Sequence, residues 1–148
     1  MNTNKPIKKL EENRERVKSI FNRDGVIIAY LFGSGSHKGK ETGPLSDLDF
    51  AIKLKNYTSK TKRQELYLSI LSDLISFLGD NIDLVLINDA RILLQFNIIK
   101  TGEILFKRSE KEKVKLESRI IQKYLDTKYY LQRHVDQKIS KFAKKGFK

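Results

Sequence analysis

The sequence contains no cysteine and no tryptophan, and it has only two prolines, two histidines and one methionine among 148 residues. Without cysteine, the chain can form neither a disulfide nor a thiolate metal site, and it is indifferent to the redox state of its compartment. No apolar run approaches the roughly 18 residues of a membrane-spanning helix, and the N-terminal stretch lacks the apolar core of a signal peptide. We therefore expect no membrane association and a cytoplasmic location.

Acidic residues are outnumbered at both ends of the chain, although the net charge is +12 overall. Residues 1–24 carry seven Lys/Arg against four acids, residues 107–148 carry fourteen against five, and residues 25–106 carry nine of each. A basic terminal segment can bind nucleic acid or an acidic protein, or it can simply be a solvated lysine-rich helix face. The neutral middle argues against nucleic acid as the substrate, because a groove that binds it should be basic.

The alternation of apolar runs and amphipathic stretches predicts an α/β (α+β) domain. Apolar runs predict strands at 26–32, 48–54, 81–87 and 103–106. Helical spacing predicts helices at 7–21, 59–78, 90–100 and 109–143. We expect one domain over 1–148, with a core of about 25–107 and a C-terminal helix of about 109–144. The sheet should be small, mixed, of about four strands, and flanked by helices.

Asp83 and Asp89, which follow the first two predicted strands in the sequence, also lead to predictions. Asp83 lies in a nearly continuous apolar run, which is typical of a strand buried on both faces. A carboxylate there is costly unless it is paired or bound to a cation, so we expect Asp83 beside the strand that contains Asp49. A structural Asp83, satisfied by a lysine or a backbone N–H, is the alternative. Asp89 is predicted to cap the helix that starts at Ala90.

The final helix is predicted to be longer than the domain that carries it. About 35 residues at 1.5 Å each would span about 50 Å. The helix therefore either bends near residues 126–127 or projects and covers its apolar residues with a partner, and we expect its own domain to cover them only in part. Its predicted apolar stripe consists of Val114, Ile121, Tyr124, Leu125, Leu131, Val135, Ile139 and Phe142.

The segment from Leu31 to Lys53 contains the strongest indication of chemistry. A strand leads into Gly33-Ser34, a polar loop follows, and Asp47-Leu48-Asp49 opens the next strand. A Gly-Ser turn can offer backbone N–H groups and a hydroxyl to a phosphate. Carboxylates two residues apart on a strand share a face and can hold two cations about 3.5–4 Å apart. A surface hairpin with aspartate as a turn residue is the alternative, and the flanking apolar strands favour the site.

This pattern resembles the nucleotidyltransferase signature of the DNA polymerase beta superfamily. Within it, the chain is most similar to the minimal nucleotidyltransferases, the MntA-type antitoxins of HEPN/MNT toxin–antitoxin systems. The resemblance includes Leu31-Phe32 before Gly33-Ser34 and Phe50-Ala51-Ile52 after the second aspartate, although the loop between them is about two residues longer than is usual in the family. It implies the nucleotidyltransferase fold.

The resemblance also implies roles for individual residues. Ser34, Asp47, Asp49 and Asp83 would be catalytic, with the three aspartates holding Mg²⁺, two ions in all, and with Gly33 and Ser34 binding the phosphates of ATP. AMP would pass to a tyrosine hydroxyl of a HEPN ribonuclease toxin and silence it. Two alternatives stay open: an antitoxin that neutralises by binding alone, and a transferase acting on a small-molecule or RNA hydroxyl. The C-terminal helix would bind the toxin or a second copy of the chain.

Overall fold

Four β-strands form a mixed sheet at the centre of the described structure. The computed structural model describes residues 10–33, 48–56 and 59–146, with side chains of the last helix as far as residue 141. The strands are β1 (Val26–Phe32), β2 (Leu48–Leu54), β3 (Ile82–Leu86) and β4 (Glu103–Lys107), in the spatial order β3-β2-β1-β4. β1 is antiparallel to β2 and β4, whereas β2 and β3 are parallel. The predicted mixed sheet is confirmed.

Four helices of the described residues accompany the sheet, and capping serines begin two of them. They are α1 (Arg14–Phe21), α2 (Lys60–Leu78), α3 (Ile92–Thr101) and α4 (Glu110–Gly146). The hydroxyl of Ser59 accepts a hydrogen bond from the backbone N–H of Lys62 and so caps α2. The hydroxyl of Ser109 accepts one from the N–H of Glu112, at 3.1 Å, and caps α4 in the same way. In the described ranges, no helix is long and apolar enough to cross a membrane.

The two faces of the sheet are covered by different helices. One face packs on α1 and α2, with Phe50 and Ile52 of β2 in its core, and we call it the α1/α2 face. The other packs on α3 and α4, with Ala51 of β2 beside Ile98 and Ile120, and we call it the α3/α4 face. Side chains of β2 alternate between these two cores as the period of a strand requires. The odd-numbered residues of β2 therefore belong to the α3/α4 face.

β3 is less buried than its apolar sequence predicts. Only Leu84 of β3 is buried, and Asp83 is exposed, so the prediction of a strand buried on both faces is wrong. The reason lies in the sheet topology. β3 is an edge strand with a neighbouring strand on one side only, so part of it stays accessible to solvent. Asp83 consequently does not bear the desolvation cost that the sequence suggests.

Asp89 does not cap the helix that follows it, which is a second correction. Residues Ile87–Asp89 form a 3₁₀ turn, and α3 begins only at Ile92, with Arg91 at the cap position and no side-chain cap hydrogen bond. The carboxylate of Asp89 instead forms an ion pair with Arg63 of α2, at 3.3 Å. The extra turn moves the start of the helix beyond the reach of this side chain.

The C-terminal helix α4 is continuous over 37 residues and contacts the domain with a face that the sequence did not predict. Leu116 and Ile120 are its buried residues, and neither belongs to the predicted stripe. Tyr124 is half-buried and stacks on Phe96 of α3, with ring centroids 3.8 Å apart. The partial cover is confirmed, because the rest of the stripe with described side chains is exposed: Val114, Ile121, Leu125, Leu131, Val135 and Ile139.

Candidate active site

Gly33, at the end of β1, leaves room for the carboxylate of Asp49. Its φ is 70°, a left-handed conformation that glycine adopts at little cost. Phe32, the preceding residue, pairs with Asp49 across the antiparallel strands. A Cβ atom on Gly33 would lie 2.5 Å from Oδ2 of Asp49, which is far inside van der Waals contact. Because Gly33 has no side chain, its backbone and the Asp49 carboxylate can lie side by side.

Asp49 and Asp83 are direct partners on the parallel strands β2 and β3. Paired residues of neighbouring strands have side chains on the same face, and their Cα atoms are about 5 Å apart. The next pair on that face, Ala51 and Val85, packs in the core beneath α3 and α4. The two aspartates therefore extend the α3/α4 face to the end of the sheet where β1 finishes and β2 and β3 begin.

The two carboxylates differ in exposure, and both can be reached from outside. Asp49 is half-buried beside Gly33, whereas Asp83 is exposed at the sheet edge. Like charges this close repel each other, and a bound cation removes that repulsion. Asp47 and Ser34, the other predicted site residues, lie outside the described residues. Within the described ranges no group of three metal-ligating side chains occurs, so the described part of the site is the Asp49–Asp83 pair with Gly33.

Tyr67 of α2 supports the strand that carries Asp83. Its hydroxyl donates a hydrogen bond of 2.6 Å to the backbone carbonyl of Leu84, the next residue of β3. Burial, and then the negative charge of Asp83, raise the pKa of Tyr67 above its usual value. The phenol therefore stays protonated and keeps donating. The sequence pattern did not single out Tyr67, since a hydrogen bond from a helix residue to the backbone of another strand depends on the packing of the two elements.

Asn88 stabilises the C-terminal end of β2 through hydrogen bonds, a role that the sequence did not predict. Its side-chain amide donates to the carbonyl of Leu54, at 2.7 Å, and accepts from the N–H of the same residue, at 2.9 Å. These bonds mimic a further pair in the ladder between β2 and the chain that follows β3. The two strands that carry Asp49 and Asp83 are thus held in register beyond the end of β3.

A glycine turn beside paired carboxylates, at one end of a small mixed sheet, is an arrangement suited to metal-assisted transfer of a phosphorus-containing group. The fold is that of the nucleotidyltransferase class. A family model described as "Polymerase beta, Nucleotidyltransferase" matches residues 15–111, and the chain belongs to this family. The resemblance to the nucleotidyltransferases of the DNA polymerase beta superfamily, inferred from residues 31–53, is confirmed.

Solved structures share the fold over almost the whole chain. A chain from a toxin–antitoxin crystal structure with AMP-PNP is 24% identical, with a TM-score of 0.59, over 94% of this chain and 99% of its own. A chain from a tri-AMPylated Shewanella oneidensis HEPN toxin in complex with MNT antitoxin is 21% identical, with a TM-score of 0.62, over 87% and 98%. A chain from a mutant MntA–HpeT toxin–antitoxin is 23% identical, with a TM-score of 0.60, over 94% and 99%. A search of curated protein sequences found no match.

Proposed function

We propose that this protein is an antitoxin that transfers AMP from ATP to a tyrosine hydroxyl of a HEPN ribonuclease toxin and thereby neutralises the toxin. The observation that carries the proposal is the direct pairing of Asp49 and Asp83 on one face, with Gly33 against the first carboxylate. The proteins with the same fold support the choice of reaction and partner, since one is in complex with a tri-AMPylated HEPN toxin and another with AMP-PNP.

The residues present fit a magnesium site. Asp49 and Asp83 offer carboxylate oxygens from adjacent strands, and Asp47 adds a third carboxylate two residues before Asp49. Mg²⁺ prefers a few carboxylates together with phosphate oxygens of a substrate. When bound, two Mg²⁺ ions would neutralise the triphosphate and favour the departure of pyrophosphate. Asp47, Asp49 and Asp83 are the residues that would hold them.

The chain's own groups then position and activate the reactants. Backbone N–H groups at Gly33 and the hydroxyl of Ser34 would bind the outer phosphates of ATP. A carboxylate oxygen of Asp83 would accept the proton of the tyrosine hydroxyl. The tyrosine oxygen then forms a bond to the α-phosphorus, the bond from that phosphorus to the β-phosphate oxygen breaks, and pyrophosphate leaves. Because Asp83 is exposed at the sheet edge, it is open to a side chain of another protein.

The distal part of α4, which we define as residues 128–141, is the surface proposed for the toxin. All of these residues are exposed, and the apolar ones have large exposed fractions, 65% for Tyr129, 68% for Tyr130 and 61% for Ile139. Exposed apolar residues in a row normally mark a protein interaction surface. The same residues could instead pair two copies of this chain, and measurement of the oligomeric state with and without toxin separates these outcomes.

The proposed function is tested by label transfer. The protein, Mg²⁺, ATP labelled at the α-phosphate and a HEPN toxin should give labelled toxin and pyrophosphate, with AMP found on tyrosine by mass spectrometry. Asp49→Asn should abolish transfer while the chain stays folded, because the loss of a like charge relieves repulsion. The exposed Asp80, outside the site, provides the matched control Asp80→Asn. Equal transfer by the wild type and Asp49→Asn would refute the role of the carboxylate pair.

Neutralisation by binding alone is the second candidate function, and the exposed distal part of α4 favours it. In that case Asp49→Asn would suppress the toxin's ribonuclease activity as well as the wild type does. Transfer-dependent neutralisation predicts the opposite result, with toxin activity fully retained in the presence of Asp49→Asn. A single ribonuclease assay with both proteins therefore distinguishes the two functions.

A further inference from the structure

A basic pocket lies at the end of β2 opposite to the carboxylate pair. It has a volume of about 210 Å³ and opens between the end of β2 and the first turns of α4. Its charged lining consists of Lys53, Lys55, Lys115, Arg119 and one carboxylate, Glu112. We call it the distal basic pocket. Its charged side chains come from the end of β2 and from α4, which are far apart in the sequence, so neither segment shows the pocket alone.

The distal basic pocket is separate from the transfer site. Asp49 pairs with Phe32 at one end of β1 and β2, whereas Leu54 pairs with Val26 at the other. Lys53 is four residues beyond Asp49 on the same face, which is about 13 Å along the strand. The buried side chain of Ala51 lies between Asp49 and Lys53 on the α3/α4 face. A ligand in this pocket is thus not one held by Gly33 and Asp49.

Three of the four cations that line the pocket have no ion-pair partner among the described residues. In the described structure, Lys53, Lys115 and Arg119 form no ion pair, and Lys55 has Asp24 at 3.5 Å. Burial, followed by the charges of Arg119 and Arg63, lowers the pKa of Lys53 from its usual value. Lys115 and Arg119 are also spaced four apart on α4, where like charges destabilise a helix. Glu112 at the rim offsets only part of this charge.

We propose that the distal basic pocket binds a small phosphate-bearing anion: inorganic phosphate, pyrophosphate or the phosphate chain of a free nucleotide. Converging Lys and Arg side chains are the groups that recognise phosphate, and a bound anion removes the repulsion among them. None of the described residues that line the pocket is aromatic. Sites for single-stranded nucleic acid usually add aromatic rings on which bases stack, so the pocket is better suited to a phosphate group than to RNA.

The proposal is tested by calorimetric titration of the full chain with phosphate, pyrophosphate and ATP in magnesium-free buffer. Lys115→Gln combined with Arg119→Gln should weaken binding about a hundredfold, because each charge-assisted contact is worth roughly tenfold. The matched control is Lys128→Gln combined with Lys138→Gln, which removes the same charge from exposed positions of the same helix. The relative affinities of the three anions identify which of them the pocket accepts.

Amide chemical shifts of the wild-type protein give a second measurement that needs no variant. Phosphate or pyrophosphate should shift the signals of Ile27, Lys55 and Leu116, which line the pocket. The proposal is overturned if none of the anions binds at millimolar concentration, or if both double variants weaken binding equally, which would indicate net charge alone. It is also overturned if a short RNA or an acidic peptide binds through Lys115 and Arg119 while the small anions do not.

Discussion

The hydroxyl of Tyr30 in β1 donates a hydrogen bond of 2.7 Å to Oε2 of Glu117 in α4. The tyrosine is fully buried, and Lys113 supports the carboxylate from one turn away, at 3.4 Å. Replacement of Tyr30 by phenylalanine should lower the free energy of unfolding by about 1.5–3 kcal/mol, the usual worth of a hydrogen bond to a charged group. Chemical denaturation measures the loss. Tyr129→Phe, which removes an exposed hydroxyl from α4, should change stability very little.

The same contact predicts how stability depends on pH. Burial, together with the hydrogen bond and charge of Glu117, raises the pKa of Tyr30 well above its usual value. The folded protein therefore holds this proton where an unfolded tyrosine, with a pKa of about 10, loses it. The stabilisation is complete below about pH 10 and is lost as the pH rises further. The difference in Tm between the wild type and Tyr30→Phe should thus shrink above pH 10, and a constant difference would contradict this assignment.

Gly33 and Gly79 form a natural pair for a test of the space beside Asp49. Both have a positive φ, 70° and 102°, but a Cβ atom on Gly79 would meet nothing within 4 Å. Gly33→Ala and Gly79→Ala should each destabilise the protein by about 1–3 kcal/mol, because alanine is strained in this conformation. Only Gly33→Ala should also lose AMP transfer, since its methyl group displaces the Asp49 carboxylate. Thermal unfolding and label transfer measure the two effects, and full transfer by Gly33→Ala would show that this contact is unimportant.

Asp83→Asn separates a catalytic carboxylate from a structural one. Asp83 is exposed and faces Asp49, so we expect the variant to keep or slightly increase its Tm in metal-free buffer while it loses transfer. A structural, paired Asp83 would instead give a destabilised but active variant. Asp80→Asn, at an exposed position just before β3, should resemble the wild type in both measurements.

Removal of residues 129–148 tests the role of the distal part of α4. The shortened chain keeps Leu116, Ile120 and Tyr124, the residues through which α4 packs on the domain, so folding and ATP binding should be preserved. Binding to the toxin should fall sharply, as measured by calorimetry. In the full chain, Leu131→Ser with Val135→Ser should have the same effect, whereas Gln132→Ser with Asp136→Ser, which alters polar neighbours, should not. Unchanged binding by the shortened chain would place the interface elsewhere.

The sequence predicts the strands that carry the site well, because their signals are local. The residues of β1 are almost all apolar, and those of β2 alternate between apolar and polar over part of its length. Both strands have the predicted bounds. The position of the Asp83 strand beside the strand with Asp47 and Asp49 was also expected, and the structure adds that Asp83 pairs directly with Asp49. What the sequence could not show is that β3 lies at the sheet edge, because edge position depends on the order of all four strands. The exposure of Asp83 follows from that order.

Helix α4 shows a different limit of sequence reasoning. Its apolar residues fall on two faces, one through Leu116, Ile120 and Tyr124 and one through Val114 and Ile121. Helical periodicity recognises both faces but does not indicate which of them meets the domain. Two contacts determine which face packs on the domain, because they fix the rotation of the helix. Tyr30 is hydrogen-bonded to Glu117, and Phe96 stacks on Tyr124. The distal basic pocket was hidden for the same reason, since it depends on that rotation.

The length of α4 also has a kinetic consequence. Its last 18 residues or so extend about 27 Å beyond the part that packs on the domain. A partner held along that span would stay tethered to the catalytic domain, and its acceptor segment would experience an effective concentration in the millimolar range. The carboxylate pair would then need almost no affinity of its own for tyrosine. Selectivity among tyrosines would come from tethering, and free tyrosine peptides would be poor acceptors even at high concentration.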